Sequence, residues 1–250
     1  MKEFRADLHV HTVLSPCAEV EMIPPLIVQR ALEQHLDLIA ITDHNASANV
    51  GSVQKAAEGT GLTVLPGMEV QSREDVHLLT LFETPEALEA WQAQVDRALP
   101  NLPNRPEFFG EQFVVDADGE FIRTDPRLLL TSTSLSIDAI FRGVRDLGGI
   151  VIPAHVDRTA YGLLPTLGLI SDEWNLPALE ISRHTSPEKA VTAFPALRKY
   201  PLIQNGDVHR LDEFAGTTLF AMESPTVTEM QLAFQHIAGR AVCIKPRTIR

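Results

Sequence analysis

Six of the nine histidines in this sequence fall in short polar segments at the ends of apolar runs, and six such segments can bind a cation or carry a proton. Asp7-Leu8-His9-Val10-His11-Thr12 comes first. In a strand alternate side chains share a face, so Asp7, His9 and His11 are expected to point one way and Leu8 and Val10 the other. Two imidazoles at that spacing reach a single metal ion, and a carboxylate beside them can orient a ring. Thr42-Asp43-His44 ends a very apolar run, and Glu69 comes just after Leu62-Thr63-Val64-Leu65-Pro66-Gly67. His77 opens His77-Leu78-Leu79-Thr80-Leu81, His155 directly follows Ile150-Val151-Ile152-Pro153-Ala154, and Asp207-Val208-His209 repeats the two-residue spacing. Each fragment alone also reads as a strand end meeting solvent. Together they would form a cluster of histidines and acids with no basic partner, which is costly unless cations fill it. A multinuclear metal site resolves the repulsion and suits imidazole and carboxylate ligands.

The elements that must position these groups alternate. Phe4 to Val10 reads as a strand and Pro24 to His35 as a helix with proline in its first turn. Residues 36–42 form a second strand, and Asn49 to Gly59 a helix ending on glycine. Leu62 to Leu65 and His77 to Phe82 are strands, and Thr84 to Leu99 a threonine-capped helix. Pro100, Pro103 and Pro106 break the rhythm, and 113–123 reads as a hairpin around Asp116-Ala117-Asp118-Gly119. Residues 100–133 are therefore an insertion, either a lid over the site or a contact with another subunit. Beyond it come a helix over 134–147, strands over 150–152, 176–181, 200–204 and 217–221, and a helix over 226–238. Strand–helix alternation predicts a single α/β domain over 1–250 built on a parallel sheet, barrel or doubly wound. Both architectures gather sites at the carboxyl ends of strands.

Composition narrows the function classes. Over 250 residues the hydrophobic fraction is 44% and the charged fraction 22%, ordinary for a globular chain. No run of about eighteen apolar residues marks a membrane span, and the N-terminus lacks a signal-peptide core. With two cysteines, Cys17 and Cys243, a disulfide scaffold is not expected, and the cytoplasm is the default compartment. The net charge of −12 disfavours nucleic acid as a stable partner at long range. No glycine-rich phosphate loop is present.

In order along the chain, Asp7-Leu8-His9-Val10-His11-Thr12, Thr42-Asp43-His44, Glu69 with His77, Ala154-His155 and Asp207-Val208-His209 resemble the successive motifs of the PHP (polymerase and histidinol phosphatase) superfamily. The resemblance implies a distorted seven-stranded (β/α) barrel with two or three divalent ions, zinc, iron or manganese, at the strand C-termini. It implies one position held by His9, His11, Glu69 and Asp207, a second by Glu69, His77 and His155, and a third by His44 and His209. Where many members carry a further histidine or acid, this chain has Ser15-Pro16-Cys17-Ala18-Glu19, so Cys17 is the expected ligand there. A thiolate favours zinc or iron. The alternatives are a small buried apolar side chain at Cys17, with Glu19 or Glu21 substituting as ligand. Cys243 reads as core, and His35 and His236 as structural or exposed helix residues.

The implied activity is metal-dependent phosphoester hydrolysis through a metal-bound hydroxide, with His155 and Asp207 in the catalytic set and Asp7 and Asp43 orienting ligand imidazoles. Three dications and one thiolate would add a formal charge of about +5, making the pocket attractive to a small anionic ester. Arg158, Arg183 and Arg210 follow motif strands and are expected to bind phosphate, with His184 lining the pocket. The expected substrate is a small phosphorylated metabolite or nucleotide. The alternatives are a PHP-type nuclease or 3′-end exonuclease, which requires a basic groove, and a non-catalytic metal-binding module.

Overall fold

The computed structural model describes residues 1–245. Eleven strands run in chain order as β1 (Lys2–Val10), β2 (Leu38–Ile41), β3 (Thr63–Gln71), β4 (His77–Leu81), β5 (Phe113–Val115), β6 (Phe121–Thr124), β7 (Ile150–Pro153), β8 (Leu179–Ile181), β9 (Leu202–Gln204), β10 (Thr218–Met222) and β11 (Ala241–Ile244). The helices are α1 (Pro24–Glu33), α2 (Val50–Ala56), α3 (Pro85–Ala98), α4 (Pro106–Phe109), α5 (Ile137–Asp146), α6 (Leu163–Leu167), α7 (Pro187–Ala193) and α8 (Val227–Phe234). Seven strands make one curled half-barrel sheet in the order β11-β10-β1-β2-β3-β4-β7, and β8 and β9 pair separately in parallel. This is the α/β, distorted-barrel class expected for a PHP-type fold.

The sheet is mixed, where alternation predicted a parallel one. β1, β2 and β3 are parallel, but β4 runs antiparallel to both β3 and β7, and β10 antiparallel to β1 and β11. The reason lies in residues 72–76, a tight turn in which Ser72 N–H donates to the Val76 carbonyl (2.9 Å) and Asp75 takes a left-handed φ of 60°. Five residues cannot make a parallel crossover, so the chain must reverse. The reversal matters for the site. It brings the first residue of β4, His77, to the edge where β1, β2 and β3 end.

Other expectations shift at particular residues. β3 continues through Pro66-Gly67 to Gln71, so Glu69 stands within a strand rather than after one. Gly67 is required there by close approach: a Cβ would lie 2.8 Å from Leu81 Cδ2 and 2.9 Å from the Ile41 carbonyl oxygen. A register shift between Asp7 and Val10 breaks simple alternation in β1, and Leu8 and Val10 end in different core clusters. The last helix stops at Phe234, and His236 and Ala238 turn left-handed (φ 55° and 52°) before β11, a strand the sequence reading did not anticipate. His35 likewise stands just beyond α1 at φ 53°, and both histidines are exposed. Cys243, expected in the core, is exposed on β11.

Burial explains the frame. One cluster includes Ile39, Ile41, Met68, Val70 and Leu78 with Ile27, Trp91 and Phe141 from α1, α3 and α5. A second joins Leu8, Leu38, Leu65, Leu79 and Ile152 to Val227, Met230 and Phe234 of α8. Apolar burial at about 25 cal/mol per Å² drives both. They hold the strand ends rigid, so the polar groups mounted there have fixed positions. The 100–133 insertion carries the β5–β6 hairpin, tied down by Asn49, whose amide donates to the Phe113 carbonyl (2.9 Å) and accepts from Val115 N–H (3.0 Å). No described helix is long and apolar enough to cross a membrane.

Candidate metal centre

Glu69 is the hub. It is 1% exposed, in mid-strand, and five imidazoles and one carboxylate gather round it. His44 Nδ1 and His77 Nδ1 each lie 2.9 Å from one of its oxygens. His9 Nε2 stands 3.2 Å from Oε1, His11 Nε2 3.4 Å from Oε2 and His155 Nε2 3.4 Å from Oε1. Asp207 Oδ1 closes the group at 3.3 Å from His9 Nε2 and 3.6 Å from His11 Nε2. His209 stacks on His11 with ring centroids 4.1 Å apart. Residues from β1, β3, β4 and the segments after β2, β7 and β9 thus meet in one place.

These contacts are close but they are not hydrogen bonds. His9 Nε2, His11 Nε2, both Glu69 oxygens, His77 Nε2 and both His155 nitrogens are buried with no hydrogen-bond partner. A buried unsatisfied polar atom costs about 1–3 kcal/mol, so seven in one cluster are not tolerated for packing alone. Their lone pairs converge on the space between them, as ligand atoms do around a cation. Three groups have their ligand atoms within 4.8 Å of one another: His9, His11 and Glu69; His44, Glu69 and His77; and His11, His44 and His209. The donor set of imidazole and carboxylate fits zinc, manganese or iron.

Protonation divides the imidazoles. Burial holds His11 and His77 in the neutral form that a metal ligand needs, His77 down to about 4. Against the effect of burial, Glu180 and Glu69 raise His9, and Glu69 and Cys17 raise His44, well above the ordinary imidazole value. Burial alone would raise Glu69, but His77, His9 and His44 keep its carboxyl well below the usual range. Asp207 is also lowered, because His9 and His11 outweigh its burial. Cys17 is exposed and interacts with His44 and His209, which hold its thiol down to about 6 against the effect of desolvation. It therefore stands beside the third group, and the buried apolar alternative for Cys17 does not apply. Glu19 turns away to Arg210 (3.0 Å).

The supporting contacts differ from expectation. Asp7 meets no imidazole. It accepts from the backbone N–H groups of Gly206 (3.0 Å), Ala215 (2.9 Å) and Gly216 (3.4 Å), and so pins the segment that carries Asp207. The carboxylate that orients His9 is Glu180 in β8, a residue sequence reasoning missed. His9 Nδ1 lies 3.0 Å from Glu180 Oε2, and the same carboxylate accepts from His155 N–H (2.9 Å) and Asn205 Nδ2 (2.8 Å). An acid in the apolar run Ala178-Leu179-Glu180-Ile181 was the available signal, because a buried charge must be paired. Asp43 acts at one remove: it accepts from Ser15 Oγ (2.7 Å), which is hydrogen-bonded to His11 Nδ1 (2.9 Å). Two positions of the cluster are backbone outliers, His155 at φ 29° and Asp207 at φ 48°; such left-handed residues persist where surrounding contacts over-determine them.

A cavity of about 420 Å³ opens beside the cluster and is lined by His155, Asp207, Arg158, Arg183, His184 and Arg210, among others. Arg158 Nη1 lies 2.6 Å from Asp207 Oδ2, and Arg183 donates to the Gly206 carbonyl (2.6 Å) and to Glu213 (2.7 Å). All three arginines are therefore paired with acids and still face the cavity. None of the lining residues comes from 100–133, so the hairpin does not cover this cavity.

Residues 7–117 match the family model described as PHP domain. Over 80 residues the chain is 30% identical to the 5'-3' exoribonuclease Rnm of Escherichia coli (strain K12) and of Salmonella typhimurium (strain LT2), a stretch covering 30% of this chain and 26% of each relative. The chain thus spans about a quarter of the length of those relatives. Among solved structures, the lesion-specific endonuclease PfuEndoQ from Pyrococcus furiosus superposes with a TM-score of 0.72 at 18% identity, over 96% of this chain and 58% of that one. A two-domain protein from Bacteroides vulgatus, described as containing a predicted PHP-like metal-dependent phosphoesterase, superposes with a TM-score of 0.56 at 15% identity, over 98% and 65%. The match over residues 7–117, the curled sheet and the histidine–glutamate centre agree with one another: that part of the chain is similar to the PHP domain, and the fold is of PHP type.

Proposed function

We propose that this chain is a metal-dependent hydrolase of phosphoesters, acting on a small phosphorylated metabolite or nucleotide. One observation carries the reading: buried, unpartnered imidazole and carboxylate atoms converge on Glu69 beside an arginine-lined cavity. His9, His11, Glu69 and Asp207 would hold one cation, Glu69, His77 and His155 a second, and His44, His209 and Cys17 a third. His44 also reaches Glu69, so the second and third sets adjoin. Bound divalent ions neutralise non-bridging phosphoryl oxygens and lower the pKa of water.

The chain's own residues supply the rest. Glu180 fixes His9 so that Nε2 faces the cluster, and the Asp43–Ser15 pair does the same for His11. Arg158, Arg183 and Arg210 present guanidinium groups to a phosphate entering the cavity. Asp207 is placed to accept Arg158 or a cation, and the left-handed turn at Gly206-Asp207 aims it inward. A complete donor set weighs against a non-catalytic module.

Nuclease action is a second reading, favoured by the names of the relatives with which the chain shares sequence or fold. The overall negative charge does not oppose it decisively, because the arginines concentrate at the cavity. The test is a panel of nucleoside monophosphates, sugar phosphates and 5′- or 3′-labelled oligonucleotides, assayed with protein reloaded with Mn²⁺ or Zn²⁺. Turnover of the small esters, lost by at least 100-fold in His155→Ala and Asp207→Ala, is the expected result. Processive shortening of oligonucleotides would transfer the reading to a nuclease, and no hydrolysis of any phosphoester by metal-replete protein would overturn it.

A further inference from the structure

The loop that leaves β7 grips the centre at three points. His155 joins the cluster around Glu69, Arg158 reaches Asp207 (2.6 Å), and Tyr161 lies flat on His77. The Tyr161 and His77 rings are parallel within 3°, with centroids 4.4 Å apart. The same residues are joined through the backbone, His77 N–H donating to the Tyr161 carbonyl (3.0 Å). Tyr161 reaches this position only in the left-handed region, at φ 61°, an unfavourable conformation for an aromatic residue. The next residue allows no alternative packing: a Cβ on Gly162 would stand 2.1 Å from the Arg158 carbonyl oxygen. The fold thus keeps a conformationally costly tyrosine where its ring covers one particular imidazole.

Backbone bonds fix where residue 77 begins, but they leave the ring free to rotate about its last torsion. The Cα–Cβ frame of His77 is held by Tyr161 on one side and by Ala154, whose N–H donates to the His77 carbonyl (3.0 Å). His44 and His155 stand tilted to the imidazole, at 59° and 58°, and the parallel contact along its face is the one with Tyr161. His77 Nδ1 lies 2.9 Å from Glu69 Oε1.

We infer that Tyr161 is a positioning residue for His77, acting through its ring face rather than its hydroxyl. It holds the imidazole plane so that His77 and Glu69 present a ready-made pair of ligand atoms to a cation. This rests on the metal-centre reading above. Tyr161 is 38% exposed, so its removal leaves an open surface and no buried void.

The experiment compares wild type with Tyr161→Phe, Tyr161→Ala and Tyr161→Asn, each stripped with chelator and titrated with Zn²⁺ alone against a chromophoric competitor. Asparagine tolerates the left-handed region, so that variant keeps the loop conformation while losing the ring. Loss of an outer partner of a ligating histidine typically weakens metal binding about 10- to 100-fold. Phe should bind within about twofold of wild type, while Ala and Asn lose at least tenfold in one equivalent. Melting of the stripped Asn variant should stay close to that of stripped wild type, separating ligand positioning from general stability. Equal affinity in all four proteins overturns the inference, and so does a Phe variant as weak as Ala, which would assign the effect to the hydroxyl. Wild type that takes up no zinc would overturn the metal-centre reading, and the role of Tyr161 with it.

Discussion

At the scale of single residues, Asp7 shows how identity and role can separate. Its type and position suggested a partner for an imidazole, yet it binds three backbone amides on the segment before and after His209. Burial raises its carboxyl to about 6, only partly offset by those amides, with Glu180 adding to the rise. A carboxyl raised in the folded state contributes stability that is complete below its unfolded value near 4 and lost as pH climbs through about 6. Asp7→Asn has no such titration. In chelator-treated protein, the stability advantage of wild type over Asp7→Asn should therefore shrink between pH 4 and 6, by roughly 3 kcal/mol at 1.36 kcal/mol per unit. Urea unfolding at several pH values measures it. A constant difference across that range would show that Asp7 is ionised throughout.

At the scale of elements, the turn after β9 does what no side chain could do alone. Gly206 precedes left-handed Asp207, and a Cβ there would sit 2.4 Å from the Glu213 carbonyl oxygen and 2.5 Å from Val208 Cγ2. The obstruction is partly backbone, so relief requires the whole turn to move. Gly206→Ala should cost about 1–3 kcal/mol in urea unfolding of the stripped protein, the usual range for overpacking. It should also weaken cation uptake, since the displaced turn carries Asp207 and His209. A variant with unchanged stability would mean that the turn has slack that the contacts do not show. β4 makes a similar point: its reversal, caused by a five-residue connection, converts a strand beginning into part of the ligand edge.

At the scale of the whole molecule, the ligand groups tie distant parts of the chain together, from β1 at residue 9 to the turn after β9 at residue 209. Cations that bind this arrangement and not the unfolded chain must stabilise the fold. At a hundred times the dissociation constant the gain is about 2.7 kcal/mol. For a protein of this size that is a rise in melting temperature of roughly 5–10 °C. Scanning calorimetry of stripped and Zn²⁺- or Mn²⁺-reloaded protein checks it. The rise should vanish in Glu69→Gln, because Glu69 lies within 3.4 Å of His9, His11, His44, His77 and His155. A melting temperature indifferent to metal would argue against a preformed centre.

The candidate cluster was legible in the residues themselves. His9, His11, His44, Glu69, His77, His155, Asp207 and His209 stand out because polar groups that end apolar runs are unusual enough to count, and the alternation of strands and helices implies that those ends converge. What the sequence could not carry was direction and support. The mixed sheet depends on the length of one turn, and the continuation of β3 through Pro66-Gly67 depends on how closely Leu81 and Ile41 approach. Glu180, Asp7 and Tyr161 took their roles from neighbours 25 to 209 residues away. Local composition records which groups are present. Which of them meet, and in what plane, is decided by packing between segments far apart in the chain, and only the folded structure contains that information.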